Sequence, residues 1–130
     1  MTTPIVRPLR PLSPHLQIYR LPVAALISIS HRITGVGLTL GIVLLVWWLA
    51  AAAYGPDAYE HVRAFIASRP GLVLSMAFSF ALCFHLCSGI RHLFWDAGRF
   101  FSPQDTATGN ILVIVASVLL TLGIWVFAAF

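Results

Sequence analysis

Seven side chains able to do acid–base, hydrogen-bonding or ligand chemistry stand where a chain this apolar has least reason to keep them. His31 and Arg32 head an uncharged run from Ile33 to Ala53, with Ser28 one helical turn earlier. His85 interrupts a second apolar run, Gly71 to Ile90, and Arg91 and His92 close it, with Asp96 one turn on. Ionisable groups inside a membrane are costly, so each is a functional candidate. His85 lies fourteen residues after Gly71, deep in a run of about the 20 residues that cross a bilayer. A neutral imidazole there can ligate a haem iron through one nitrogen while the other is held by a neighbour. From spacing alone the plainer reading, a hydrogen bond across to another helix, is favoured. Gly89, one turn beyond, removes a side chain that would crowd a flat macrocycle. Arg32 and His31 suit two roles also: anchoring the helix at the headgroups, or donating to anionic haem propionates or to a quinone oxygen that gains charge on reduction. Ser28 adds a hydroxyl on the Arg32 face.

The elements that must position these groups follow from composition. The chain has 130 residues, 59% hydrophobic and 9% charged, with eight arginines, no lysine and four acids. A soluble domain carries roughly a quarter charged residues, so this chain reads as an all-α integral membrane protein. Its arginines lie at the ends of apolar runs and not on one polar face, which argues against nucleic-acid binding. Cys83 and Cys87, four apart inside an apolar run, read as reduced core residues, since a bridge along one helix face is awkward. Three transmembrane helices are expected over about residues 21–53, 71–95 and 108–130, in a single membrane-anchor domain covering residues 1–130. Lipid demands such helices because it cannot satisfy an open backbone. The first run exceeds one crossing, and its early part is expected at the interface or in the headgroups.

Residues 54–70 and 96–110 carry Gly55, Pro56, Pro70, Gly98, Pro103, Gly109 and Asn110 and read as short connectors. Arg91 and Arg99 are counted with the second of these. Six arginines then fall on the side of the N-terminus and second connector, against Arg63 and Arg69 on the other. The excess predicts an N-in, C-out orientation with a cytoplasmic or interfacial N-terminal segment. Residues 1–20, rich in proline and arginine, lack the apolar core of a secretory signal. The second span runs back toward the cytoplasm, so both polar clusters are expected on that side at similar depth. By helical spacing Ser28, Arg32, Gly35 and Thr39 share one face, and His85, Ser88, Gly89, His92 and Asp96 another. Gly37 and Gly41 form a GxxxG pattern that favours close helix packing. Trp47, Trp48, Tyr54, Trp95 and Trp125 read as interfacial aromatics.

RPLSPHLQIYRLPVAALISISHRITG, Arg10 to Gly35, resembles the N-terminal signature of the cytochrome b subunits of succinate dehydrogenase, and HLCSGIRHLFWDAG, His85 to Gly98, is similar to that family's second signature. The resemblance implies the larger membrane anchor of succinate:quinone oxidoreductase, respiratory complex II, an enzyme of electron transport and the tricarboxylic acid cycle. In it a flavoprotein subunit oxidises succinate and an iron–sulfur subunit passes electrons to ubiquinone. This chain and a smaller membrane anchor subunit would hold haem b between them. Carried over, His85 is implied as a haem iron axial ligand, Ser28 and Arg32 as quinone-binding residues, and His31, Arg32 and His92 as haem propionate contacts. No residue of this chain is implied to be catalytic in succinate oxidation itself. The bacterial inner (cytoplasmic) membrane is expected, more than the mitochondrial inner membrane. Three alternatives remain at this stage: an anchor of a fumarate reductase, a purely structural anchor without haem contact, and a small transporter subunit. The last is disfavoured because the third span offers only Ser117 and Thr121 as polar side chains.

Overall fold

The computed structural model describes residues 18–129 and is built of four helices: α1 Val23–Tyr54, α2 Pro56–Ala67, α3 Arg69–Asp96 and α4 Pro103–Ala129. Helices α1, α3 and α4 are long and apolar enough to cross a membrane, as the uncharged runs predict. The expected N-terminal segment before residue 18, with Arg7 and Arg10, lies outside the described residues.

Two connectors come out shorter than expected. Residues 56–67 form a helix, and α4 starts at Pro103. In each case the proline read as a break sits in a helix's first turn, where its missing N–H costs nothing: Pro56 opens α2, Pro70 follows Arg69 in α3, and Pro103 opens α4. Ser68 caps α3, its hydroxyl accepting from the Gly71 N–H at 3.2 Å. Helix α3 ends as glycine allows. The Gly98 N–H bonds to Trp95 O and the Arg99 N–H to Phe94 O, with Gly98 at φ 72° in the left-handed region. Helix α2 lies against the end of α1 through Trp47 on Phe65 and Trp48 on Tyr59.

Two seams organise the spans. On α4 the buried residues are Asn110, Val113, Ser117 and Thr121, a stripe at three- and four-residue spacing. It packs on the Phe84, Ser88 and Arg91 stripe of α3. Between α1 and α3 the contacts run antiparallel: Gly35 lies on His85 and Gly41 on Phe78. The GxxxG expectation holds at one end only. A Cβ on Gly41 would stand 2.9 Å from the Phe78 ring, whereas nothing lies within 4 Å of the Gly37 position. Ile27, Phe84 and Val113 bring the three long helices together in the core, with Cys87 packed on them. Most other apolar side chains face outward, as lipid contact requires.

Candidate functional site

The apolar cluster of Ile27, Phe84 and Val113 sets the depth of the site, since Ile27 is one turn before His31 and Phe84 adjoins His85. Across the α1–α3 seam the His31 ring stacks on His85, centroids 4.0 Å apart, and on His92 at 5.4 Å. The edge of Trp95 continues the row, 5.0 Å from His92, and the Arg91 guanidinium lies 4.5 Å over the Trp95 ring, a cation–π contact. The row crosses helices because α1 and α3 are antiparallel, so one ring from α1 fits between two from α3 spaced two turns apart.

His85 is held from α1 at one nitrogen. Its Nδ1 lies 3.1 Å from the His31 carbonyl oxygen and 3.2 Å from the Thr34 hydroxyl, and that hydroxyl donates to the same carbonyl at 2.9 Å. Gly35 permits this approach: a Cβ there would stand 3.1 Å from His85 Cε1. Sequence reading singled out Gly35 but missed Thr34. Its only signal is the one-residue offset from Gly35, which means nothing until the rotation of α1 against α3 is known.

The expected residues divide into two groups. His31, His85 and His92 are brought together. Ser28 is half-buried and Arg32 exposed, and among the described residues no hydrogen bond ties either to the histidines. Asp96 is exposed at the end of α3.

Arg91 requires a correction. It is not a connector charge: it lies inside α3, 7% exposed, and donates through Nη1 to the Asn110 side-chain oxygen. Asn110, read as a boundary signal, is buried within α4. A guanidinium in an apolar seam must find an acceptor, and a helical amide on the facing stripe supplies it. Beside this pair a cavity of about 480 Å³ opens between α3 and α4, floored by Cys87, Leu112, Val113 and Ala116.

Buried polar atoms without a partner include His31 Nε2 and Ser88 Oγ. Among the described residues no group of three or more His, Cys, Asp or Glu could hold a metal ion. A lone neutral imidazole is the kind of group that can serve a metal already held by a macrocycle. Space fits as well: nothing lies within 4 Å of the Gly89 Cβ position, one turn from His85. A haem with one ligand from this chain is compatible with these residues.

The chain is similar to proteins of known role over most of its length. It is 44% identical over 117 residues to the succinate dehydrogenase cytochrome b556 subunit of Rickettsia typhi, covering 90% of this chain and 91% of that protein. It is 45% identical over 111 residues to the subunit of the same name from Paracoccus denitrificans, covering 85% of each. Against the mitochondrial succinate dehydrogenase cytochrome b560 subunit of Bos taurus the identity is 34%, over 88% of this chain and 69% of that one. Residues 7–124, which include the whole histidine row and the Arg91–Asn110 pair, match the family pattern. The chain belongs to the succinate dehydrogenase/fumarate reductase transmembrane subunit family.

Proposed function

We propose that this chain is the haem b-binding membrane anchor of a succinate dehydrogenase, forming with its partners the site where electrons from succinate reach ubiquinone. The observation that carries the reading is His85: an imidazole inside a membrane span, fixed at Nδ1 from α1 and stacked in a row with His31. Succinate oxidation belongs to a flavoprotein subunit and an iron–sulfur subunit. A smaller anchor would complete the haem's ligation, since α3 offers one deep histidine. Bound haem would supply one-electron redox chemistry.

The chain's own residues then divide the work. His85 holds the iron. His31, whose Nε2 has no partner among the described residues, His92 and Arg32 would donate to the propionates. Ser28 and Arg32 donate to the quinone oxygens and stabilise the charge that develops there on reduction, as preorganised donors do. The exposure of Arg32 and half-exposure of Ser28 support this, because a pocket completed by another subunit needs donors on the surface of this one. The arginine excess supports an N-in orientation in a bacterial inner membrane, with protons entering from the cytoplasmic side. The family includes fumarate reductase anchors, and faster quinol-driven fumarate reduction than succinate oxidation would reverse the assigned direction.

The test is a reduced-minus-oxidised spectrum of the complex purified through a tag on this chain, beside His85→Ala. A b-type spectrum lost or shifted in the variant, with all subunits still co-purifying, is the expected result. An unchanged spectrum removes His85 as ligand and favours a structural anchor. Ser28→Ala and Arg32→Leu are expected to lower ubiquinone reduction while leaving succinate oxidation by a soluble acceptor intact. Unimpaired ubiquinone reduction in the assembled complex would remove the quinone assignment.

A further inference from the structure

The oxygens around His85 Nδ1 carry more information than the contact itself. A backbone carbonyl accepts hydrogen bonds and cannot donate. With the His31 carbonyl oxygen 3.1 Å from Nδ1, a lone pair on that nitrogen would face a lone pair on oxygen. The Thr34 hydroxyl does not relieve this, because its hydrogen is directed to the same carbonyl at 2.9 Å. Its oxygen therefore also presents a lone pair to Nδ1, at 3.2 Å. Two acceptors converge on one ring nitrogen, and only the tautomer with hydrogen on Nδ1 satisfies them. The neutral ring then has its free lone pair on Nε2, the nitrogen that α1 leaves alone.

We infer that Thr34 is a positioning residue for His85: with the His31 carbonyl it holds the ring in the Nδ1–H tautomer, fixes its plane, and sets how electron-rich a ligand Nε2 presents. The inference rests on the haem reading above. A histidine ligand whose second nitrogen donates to oxygen is a stronger donor to its metal, and such neighbours tune potential as well as affinity. Thr34 supplies one of the two acceptors. Loss of the hydroxyl weakens the pull on Nδ1–H, lowers the electron density at Nε2 and favours the reduced iron.

The experiment compares Thr34→Val, which keeps the shape and removes the hydroxyl, with Thr34→Ser, which keeps the hydroxyl, in the purified complex. The readouts are the haem midpoint potential by redox titration and the low-spin electron paramagnetic resonance spectrum of the oxidised haem. An upward shift of potential with altered g values in Thr34→Val, restored by Thr34→Ser, is the expected result. No shift, a downward shift, or a Thr34→Ser variant that behaves like Thr34→Val overturns it. Should Thr34→Val fail to assemble, Thr34→Ala is read against the same criteria. Haem loss in the variants lacking the hydroxyl, with retention in Thr34→Ser, also supports the inference; haem loss in all overturns it. Failure of the haem reading shows separately, as a wild-type complex without a b-type spectrum or a His85→Ala variant that keeps one.

Discussion

Helix α3 has two seams, and they handle polar groups in opposite ways. Toward α4 the hydroxyls of α4 bond to their own helix and Arg91 reaches across through one nitrogen, its Nε and Nη2 having no partner among the described residues. Ser117 donates to Val113 O, Thr121 to Ser117 O, and Arg91 Nη1 to Asn110. Toward α1 polar capacity is held open. His31 stacks on two imidazoles, yet its Nε2 has no partner among the described residues. His85 is satisfied at Nδ1 alone by α1. One hydrogen bond, Arg91 to Asn110, crosses the α3–α4 seam, whereas across the α1–α3 seam His85 Nδ1 meets the His31 carbonyl and the Thr34 hydroxyl while its other nitrogen has no bond to α1. Burial alone does not separate the two, because Ser88 is fully buried and also lacks a partner.

The comparison can be broken from the scaffold side. Asn110→Leu removes the acceptor from the buried Arg91 guanidinium, and interhelical bonds of this kind contribute roughly 1–2 kcal/mol. Its expected effect is a lower thermal midpoint of the complex with an unchanged haem spectrum. A spectrum lost at intact assembly would show that the α3–α4 seam belongs to the site. On the α1–α3 seam Gly41→Ala puts a methyl 2.9 Å from the Phe78 ring and is expected to cost about 1 kcal/mol as overpacking. Gly37→Ala meets nothing within 4 Å and should stabilise by roughly 0.5 kcal/mol through helix propensity. Equal effects of the two on thermal unfolding would contradict the packing described here. The smallest effect belongs to α2, outside both seams, where Arg63 Nε donates to Glu60 at 2.7 Å. The hydrogen bond from Arg63 holds the Glu60 carboxyl below its usual range and raises the guanidinium. A lowered carboxyl stabilises the fold above the ordinary carboxylate range and loses that contribution as pH falls through its folded value. Both groups are fully exposed, so Glu60→Gln should leave the pH profile of the thermal midpoint unchanged.

The three spans were legible because an uncharged run of sufficient length has one physical solution in lipid. His85 was legible for the converse reason, a polar group in such a run that needs an explanation. Helix α2 was not, because a proline and a glycine side by side at 55 and 56 announce a break without saying whether a helix begins just after it. Arg91 was misplaced because counting charges toward loops ignores the possibility that a partner such as Asn110 waits on a facing helix. Thr34 was invisible for a deeper reason. Its neighbour His85 is fifty-one positions away, and their meeting depends on the rotation of two helices about their axes. Periodicity gives the faces of each helix but not their mutual angle.

Helix α1 has 32 residues in one unbroken run. At 1.5 Å per residue it is about 48 Å long, against a hydrocarbon thickness of about 30 Å. Its far end carries Trp47, Trp48 and Tyr54, the aromatics that favour an interface. The helix is therefore a ruler read from that end: the distance from Trp47 back to His31, sixteen residues or about 24 Å, sets how far the histidine row stands from the opposite surface. One residue inserted between them would move the row by about 1.5 Å and turn His31 by about 100°, unstacking it from His85 without touching either side chain. The spacing between an aromatic at one face and an imidazole near the other is thus as much part of the site as the residues in it.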